Sequence, residues 1–154
     1  MRGRMIFRQD RGSAADVAEH LSGCDAVFVA QLGARVDLSD FAARIAARAA
    51  RFEAWADEKL VGLVAAYCND TAGAHAFINH VGVWPAHGRR GVAAKLLESC
   101  IEHARKCGMR TIELEVSRDN ARAIALYRGF GFQPLATEQV ALAMRLLLDK
   151  GGTR

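Results

Sequence analysis

The sequence predicts a mixed α/β (α+β) domain whose central sheet is mostly antiparallel and carries one parallel pair of strands. Three features point there. Between Phe52 and Val83, short apolar runs are separated by tight turns, the mark of an antiparallel meander. An apolar stripe at helical spacing follows, from Val92 to Ala104. A strand-like run from Thr111 to Val116 comes next, so strand, helix and strand read as a right-handed crossover joining two parallel strands.

In chain order, Met5, Ile6 and Phe7 make a short strand candidate. Ser13, with Asp16 three residues on, is a capping box that opens a helix reaching about Leu21. Ala26 to Leu32 fits helix and strand equally. Ser39 is read as the cap of a second helix, in which Phe41, Ile45, Ala49 and Phe52 recur at helical spacing, while Arg44, Arg48 and Arg51 form a solvated row on another side. Phe52 to Ala56, a turn at Asp57-Glu58-Lys59 and Leu60 to Cys68 form a hairpin. Asn69 to Gly73 is a second turn and Ala76 to Val83 the third strand. In the long helix, Val92, Ala93, Leu96, Leu97, Cys100, Ile101 and Ala104 share one face, and Gly108 ends it. Ile112, Leu114 and Val116 then alternate with Thr111, Glu113 and Glu115. Asp119 is read as the cap of a last helix running to about Arg128. Val140 to Leu147 closes the chain as a strand, apolar enough either to be buried in the monomer or to pair across a homodimer.

A length of 154 residues fits one domain, and 51% hydrophobic content is enough for a real core. In Met1-Arg2-Gly3-Arg4-Met5-Ile6-Phe7-Arg8, charge returns after a short apolar run, so no signal peptide is expected. No run approaches the roughly eighteen apolar residues of a membrane span. A cytoplasmic protein is expected. The cysteines Cys24, Cys68, Cys100 and Cys107 lack C-x-x-C spacing and are read as free, mostly buried thiols, with no metal site. A net charge of +4 comes from scattered arginines, and aromatic residues at 7% supply no stacking platform, so a nucleic-acid partner is not expected. An anionic small molecule satisfies the charge equally well.

The chemistry concentrates at the junction of the third strand and the long helix, His87-Gly88-Arg89-Arg90-Gly91-Val92-Ala93. Amides at a helix start have no partner within the helix, and their dipole favours an anion. Small residues permit close approach, and two arginines add charge, so a phosphate or pyrophosphate suits the place. By pattern alone, an ordinary basic loop reads as well.

Its neighbours decide between these. Val83-Trp84-Pro85 precedes the loop, Leu96-Leu97 follows it, and Asn120-Ala121-Arg122-Ala123-Ile124-Ala125-Leu126-Tyr127 leads to Gly129-Phe130-Gly131-Phe132. Over roughly Leu60 to Phe132, about half of the chain, this order of motifs resembles the Gcn5-related N-acetyltransferase family. The family's Arg/Gln-x-x-Gly-x-Gly/Ala motif is matched at Gly91 and Ala93, but its first place falls on Gly88, whose contact passes to Arg89 or Arg90 if it is kept.

The resemblance implies helices on both faces of the sheet and acetyl-CoA as co-substrate, with no metal. The pyrophosphate would rest on Arg89, Arg90, Gly91, Val92 and Ala93. Pantetheine would lie along the third strand, using backbone near Val81 and Val83 like an added strand, where the strands flanking the crossover helix splay apart. A backbone N–H there would polarise the thioester carbonyl. Tyr127 matches the family's tyrosine that protonates the departing sulfur, against a reading of simple packing. Asn120 matches a cofactor-holding position and equally suits a helix cap. His80 is the candidate base, although strand alternation points it away from the Val81 and Val83 face, and Glu113 and Glu115 are alternatives. His75, His87 and His103 read as turn or surface residues. The expected arrangement is one domain over 1–154: an acceptor side over about 1–59, a cofactor core over 60–132 and a strand over 140–148. The acceptor, a small-molecule or peptide amine, would be chosen around Ala26 to Asp37. The expected reaction is direct acetyl transfer, its alternative a non-catalytic acyl-CoA sensor or interaction module.

Overall fold

A computed structural model describes residues 4–24, 38–70, 72–88, 90–135 and 141–148. The elements are β1 (Ile6–Gln9), α1 (Ala14–Ser22), α2 (Leu38–Arg48), β2 (Ala50–Ala56), β3 (Lys59–Tyr67), β4 (His75–Val83), a 3-10 turn (Pro85–His87), α3 (Val92–Lys106), β5 (Thr111–Ser117), α4 (Ala121–Gly129), β6 (Gln133–Pro134) and β7 (Ala141–Leu147). The strand order is β1-β2-β3-β4-β5-β7-β6. β4 and β5 are parallel, and the β1–β2, β2–β3, β5–β7 and β6–β7 pairs are antiparallel. The mixed, mostly antiparallel class with a parallel pair is thus the class observed. The chain clusters into two compact units: Met1–Ala66 with His80–Cys100, and Tyr67–Asn79 with Ile101–Arg154.

In the first unit, α1 begins as its sequence dictates. Asp16 N–H donates to Ser13 Oγ, and Ser13 N–H donates to the Asp16 carboxylate, a complete capping box. The β2–β3 hairpin turns on Asp57 and Glu58, both at positive φ, the backbone of a two-residue turn whose twist matches its strands. β3 is buried without interruption from Leu60 to Ala66, so it reads as a continuous apolar run. Gly62 lets α3 settle on it: a Cβ there would lie 3.0 Å from Val92 Cγ1 and 3.3 Å from Leu96 Cδ1.

A polar knot sits inside this apolar frame. Glu53 on β2 is fully buried, and its carboxylate accepts from the N–H groups of Arg11 and Gly12, from Trp55 Nε1 and from Arg51 Nε. Arg51 also donates to the carbonyls of Gly12 and Ala46. The expected solvated arginine row therefore fails at Arg51. α2 stops at Arg48, the chain turns into β2, and Arg51 is folded back beneath the carbonyl end of α2, where a cation is favoured. The helix expected to run on to Phe52 is shorter for the same reason, because residues 50–52 pair with β3 instead. Ser39 is not its cap either, since helical structure already includes Leu38.

In the second unit, Ile112, Leu114 and Val116 of β5 stand opposite Leu146, Met144 and Leu142 of β7, and all six side chains are buried. β7 thus lies inside the sheet, between β5 and β6, with Leu147 exposed at its end. α3 ends in a Schellman arrangement: Gly108 at φ +81° donates to Arg105, and Met109 N–H donates to the Ala104 carbonyl. This leaves Cys107 exposed and past the helix, against the reading of mostly buried thiols, while Cys100 within α3 is buried. The cap of α4 is Asn120 rather than Asp119, its side chain accepting from Ala123 N–H. β6 was not legible because two residues, one a proline, carry no periodicity.

Glu53→Ala should lower unfolding free energy by about 3–5 kcal/mol, because it strands a buried guanidinium and several donors. Urea denaturation checks this, and a loss below about 1 kcal/mol would show that the knot is not energetically coupled.

Candidate active site

The second half of β4 and the loop after it form the framework. The parallel register with β5 comprises His75↔Thr111, Ala76↔Ile112 and Phe77↔Glu113. Val81 and Val83 lie beyond that register and are half-buried. Trp84 N–H donates to the Val61 carbonyl, which ties the end of β4 to β3. The chain then makes its 3-10 turn, with Gly88 N–H closing on the Pro85 carbonyl.

Gly91 sits at φ +76° with nothing around the place of a Cβ, and its carbonyl accepts from Lys95 N–H. It is therefore the residue before the first full turn of α3. The amides of Val92 and Ala93 belong to that turn and have no acceptor within the helix. No acidic residue lies in the turn, and Arg90 is exposed beside it. Gly88, Arg90, Gly91, Val92 and Ala93 thus share one short segment with amides and positive charge. Arg89 lies outside the described residues, as does the whole stretch 25–37 expected to choose the acceptor.

Alternation places His80 as expected, away from the Val81 and Val83 side. It is 4% exposed, and its Nε2 lies 2.9 Å from Nε2 of His20 on α1, itself fully buried. His20 Nδ1 is 3.0 Å from the Leu60 carbonyl. A carbonyl only accepts, so Nδ1 carries the proton; neutral His20 then accepts at Nε2, and His80 donates from its Nε2. That leaves Nδ1 as the basic nitrogen of His80. Burial pushes His20 down to about 4 and His80 well below the usual imidazole value, the neighbouring His20 adding to the latter. Trp84 stacks on His20 at 6.4 Å and donates from Nε1 to the His20 carbonyl. Cys24 Sγ lies 3.4 Å from His20 Nε2.

The second unit holds the remaining candidates. Tyr127 on α4 is buried beside Phe132, and burial raises its phenol to about 12. Asn120 uses its side-chain oxygen as the α4 cap. Glu113 is engaged by Arg145 at 2.7 Å, and Glu115 is exposed. His75 bonds Thr111, and His87 and His103 are half-buried. Sequence reasoning missed His20 and Cys24. Their four-residue spacing at the end of a helix was the available signal, but nothing local pointed to His80 as their neighbour sixty residues on.

Three comparisons bear on this arrangement. The model of the "Acetyltransferase (GNAT) family" matches residues 14–132. The ribosomal protein bS18-alanine N-acetyltransferase of Escherichia coli is 43% identical over 53 residues, 34% of this chain and 36% of that protein. The match therefore spans about a third of the length of that curated relative. The crystal structure of the ribosomal-protein-S18-alanine N-acetyltransferase from Escherichia coli superimposes with a TM-score of 0.77 at 22% identity, over 97% of both chains. That of an N-acetyltransferase of Thermoplasma acidophilum in complex with coenzyme A gives 0.74 at 16%, over 94% of this chain and 99% of the other. At these identities the two structures establish the fold. No helix among the described residues is long and apolar enough to cross a membrane.

The histidine pair sets a pH dependence of stability. With His20 at about 4 in the folded protein and 6.5 as its ordinary value, the unfolded chain binds a proton that the folded one refuses. Stability is full above about 6.5 and falls as the pH drops towards 4, by about 2 kcal/mol at pH 5 from His20 alone. His80 acts with the same sign. Melting temperatures from pH 7 to 5 should fall, and fall less steeply in His20→Gln; parallel curves would show that these histidines are not the titrating groups.

Proposed function

We infer the reaction from family membership: the chain belongs to the acetyltransferase (GNAT) family. The proposed activity is transfer of the acetyl group of acetyl-CoA directly to the nitrogen of a primary amine, on a small molecule or a protein. The observation that carries this reading is the segment Gly88–Ala93, where a positive-φ glycine, the open amides of α3 and Arg90 meet at the end of a strand whose last residues are half-buried. Such a corner suits a diphosphate.

On this reading, Arg90 and the amides of Val92 and Ala93 hold the pyrophosphate, with Gly88 and Gly91 keeping the approach clear. Arg89 is assigned with them by its place in the motif. Pantetheine hydrogen-bonds to the backbone at Val81 and Val83, and a strand amide stabilises the oxyanion formed when the amine attacks. Asn120 contributes to the cofactor side by motif position. Tyr127 donates to the departing sulfur, a role consistent with a phenol that stays protonated at neutral pH. By its place on β4, His80 is the proposed base; the amine's proton passes through Nδ1 without resting there, because burial disfavours the charged imidazole, while His20 holds the other nitrogen. The acceptor remains a class, a primary amine. The matched relative named for an alanine of a ribosomal protein makes a protein N-terminus one candidate. Cysteines outside any disulfide, Cys107 exposed and Cys24 half-exposed among them, suit the reducing cytoplasm.

Acetyl-CoA at a hundred times its Kd should stabilise the protein by about 2.7 kcal/mol, a rise of several degrees in melting temperature. Arg90→Glu should remove most of that rise; a full rise in the variant would move the phosphate site elsewhere. Thiol release across a panel of amines identifies the acceptor, and release with none of them favours the sensor. With an acceptor in hand, Tyr127→Phe should lower kcat about 10²-fold at unchanged acetyl-CoA affinity. Unaltered turnover would remove the acid role and leave the cofactor site standing.

A further inference from the structure

We propose that His20, Cys24 and His80 form a binding site for a zinc-class divalent ion. Their ligand atoms all lie within 4.8 Å of one another, the one such group of His, Cys, Asp or Glu among the described residues. His20 Nε2 is 2.9 Å from His80 Nε2 and 3.4 Å from Cys24 Sγ. Zinc bonds of about 2.0 Å to nitrogen and 2.3 Å to sulfur, at tetrahedral angles, need edges of about 3.3 and 3.5 Å. The His20–Cys24 edge already fits, the histidine pair would part by a few tenths of an ångström, and the His80–Cys24 edge, no longer than 4.8 Å, would close to the same length.

The surroundings are those of a ligand set. His20 Nδ1 is held by the Leu60 carbonyl at 3.0 Å, the outer contact that fixes a metal-binding imidazole with its other nitrogen facing inward. Two glycines make the approach possible. A Cβ on Gly82 would lie 2.7 Å from His80 Nε2 and 3.0 Å from Cys24 Sγ, and one on Gly23 would lie 2.4 Å from the Trp84 indole. Two nitrogens and a thiolate select zinc over magnesium or calcium, and three protein ligands leave a fourth place for water, which suits an exchangeable ion. On binding, Cys24 gives up its thiol proton to solvent, the His80 proton moves from Nε2 to Nδ1 to free the Nε2 lone pair, and the metal bonds form; nothing is oxidised.

His103 and Cys107 provide a comparison within the chain. They have the same spacing and the same 3.4 Å separation, but Cys107 is exposed and no third ligand atom joins them among the described residues. The consequence for catalysis rests on the proposed proton role of His80: the ion would occupy the nitrogens that join His80 to His20, and would inhibit.

The test uses the full chain, stripped of metal by chelator. Zinc titrated in competition with a chromophoric chelator should bind at one equivalent, and cobalt(II) should give a thiolate-to-cobalt charge-transfer band with the visible bands of a tetrahedral ion. Cys24→Ser, at a half-exposed position, should keep basal turnover and the native melting temperature, weaken zinc by about 10²-fold or more and abolish the band. Cys107→Ser should change neither. Binding equal in wild type and Cys24→Ser, or a band lost with Cys107→Ser instead, overturns the site. Binding without inhibition of acetyl transfer upholds the site and overturns the proton role of His80. If no amine is acetylated, the cobalt spectrum still decides the metal question.

Discussion

The buried carboxylate of Glu53 fixes the first unit. It gathers the N–H groups of Arg11 and Gly12 into β2 immediately before the capping box at Ser13, so it determines where α1 starts and how it leaves the sheet. α1 then delivers His20 to the Leu60 carbonyl on β3 and to His80 on β4. A charge so buried holds only while its donors stay in place, and here they come from a loop, a strand and an indole together. Arg51 extends the constraint to α2 through the Ala46 carbonyl. Helix placement over β3 and β4 thus follows from one side chain that no apolar pattern announces.

The two ends of β4 have different jobs. Its first residues pair with β5, whereas its last are tied to β3 through Trp84 and run into a loop closed by Gly88 and opened towards α3 by Gly91. On the proposed reading, backbone groups at Val81 and Val83, past the residues in parallel register with β5, are the ones an extended ligand such as pantetheine would add to as a strand. The loop supplies the complementary feature, amides that the helix itself cannot satisfy.

Much of this was legible in residue order. The capping box, the hairpin turn, the apolar face of α3 and the alternation in β5 are local, with periodicity and caps acting over a few residues. The segment proposed to hold the diphosphate is contiguous, Gly88 to Ala93, and so could be named from residue order. What failed was non-local. Arg51 looked like one more surface arginine because its spacing matched Arg44 and Arg48; only the pairing of residues 50–52 with β3 turns it inward. Asp119 and Asn120 are equally good caps on paper, and backbone geometry at Asn120 chose between them. His80 could be assigned a face but not a neighbour, because His20 comes from another element.

That neighbour changes what His80 can be. An isolated histidine facing an apolar layer would be a packing residue, neutral and chemically idle. With His20 donating to Leu60 at one end, the order of protons along the pair is determined: each ring has one donor and one acceptor nitrogen, and the direction runs from His80 towards the backbone. A proton taken up at His80 Nδ1 would keep that hydrogen bond intact, whereas a metal ion must break it, because the ion needs the His20 lone pair and the His80 Nε2 electrons at once. The two uses of the cluster are therefore mutually exclusive at the level of a single bond. Cys24 separates them: its sulfur contributes to coordination, but the proton order between the histidines is complete without it.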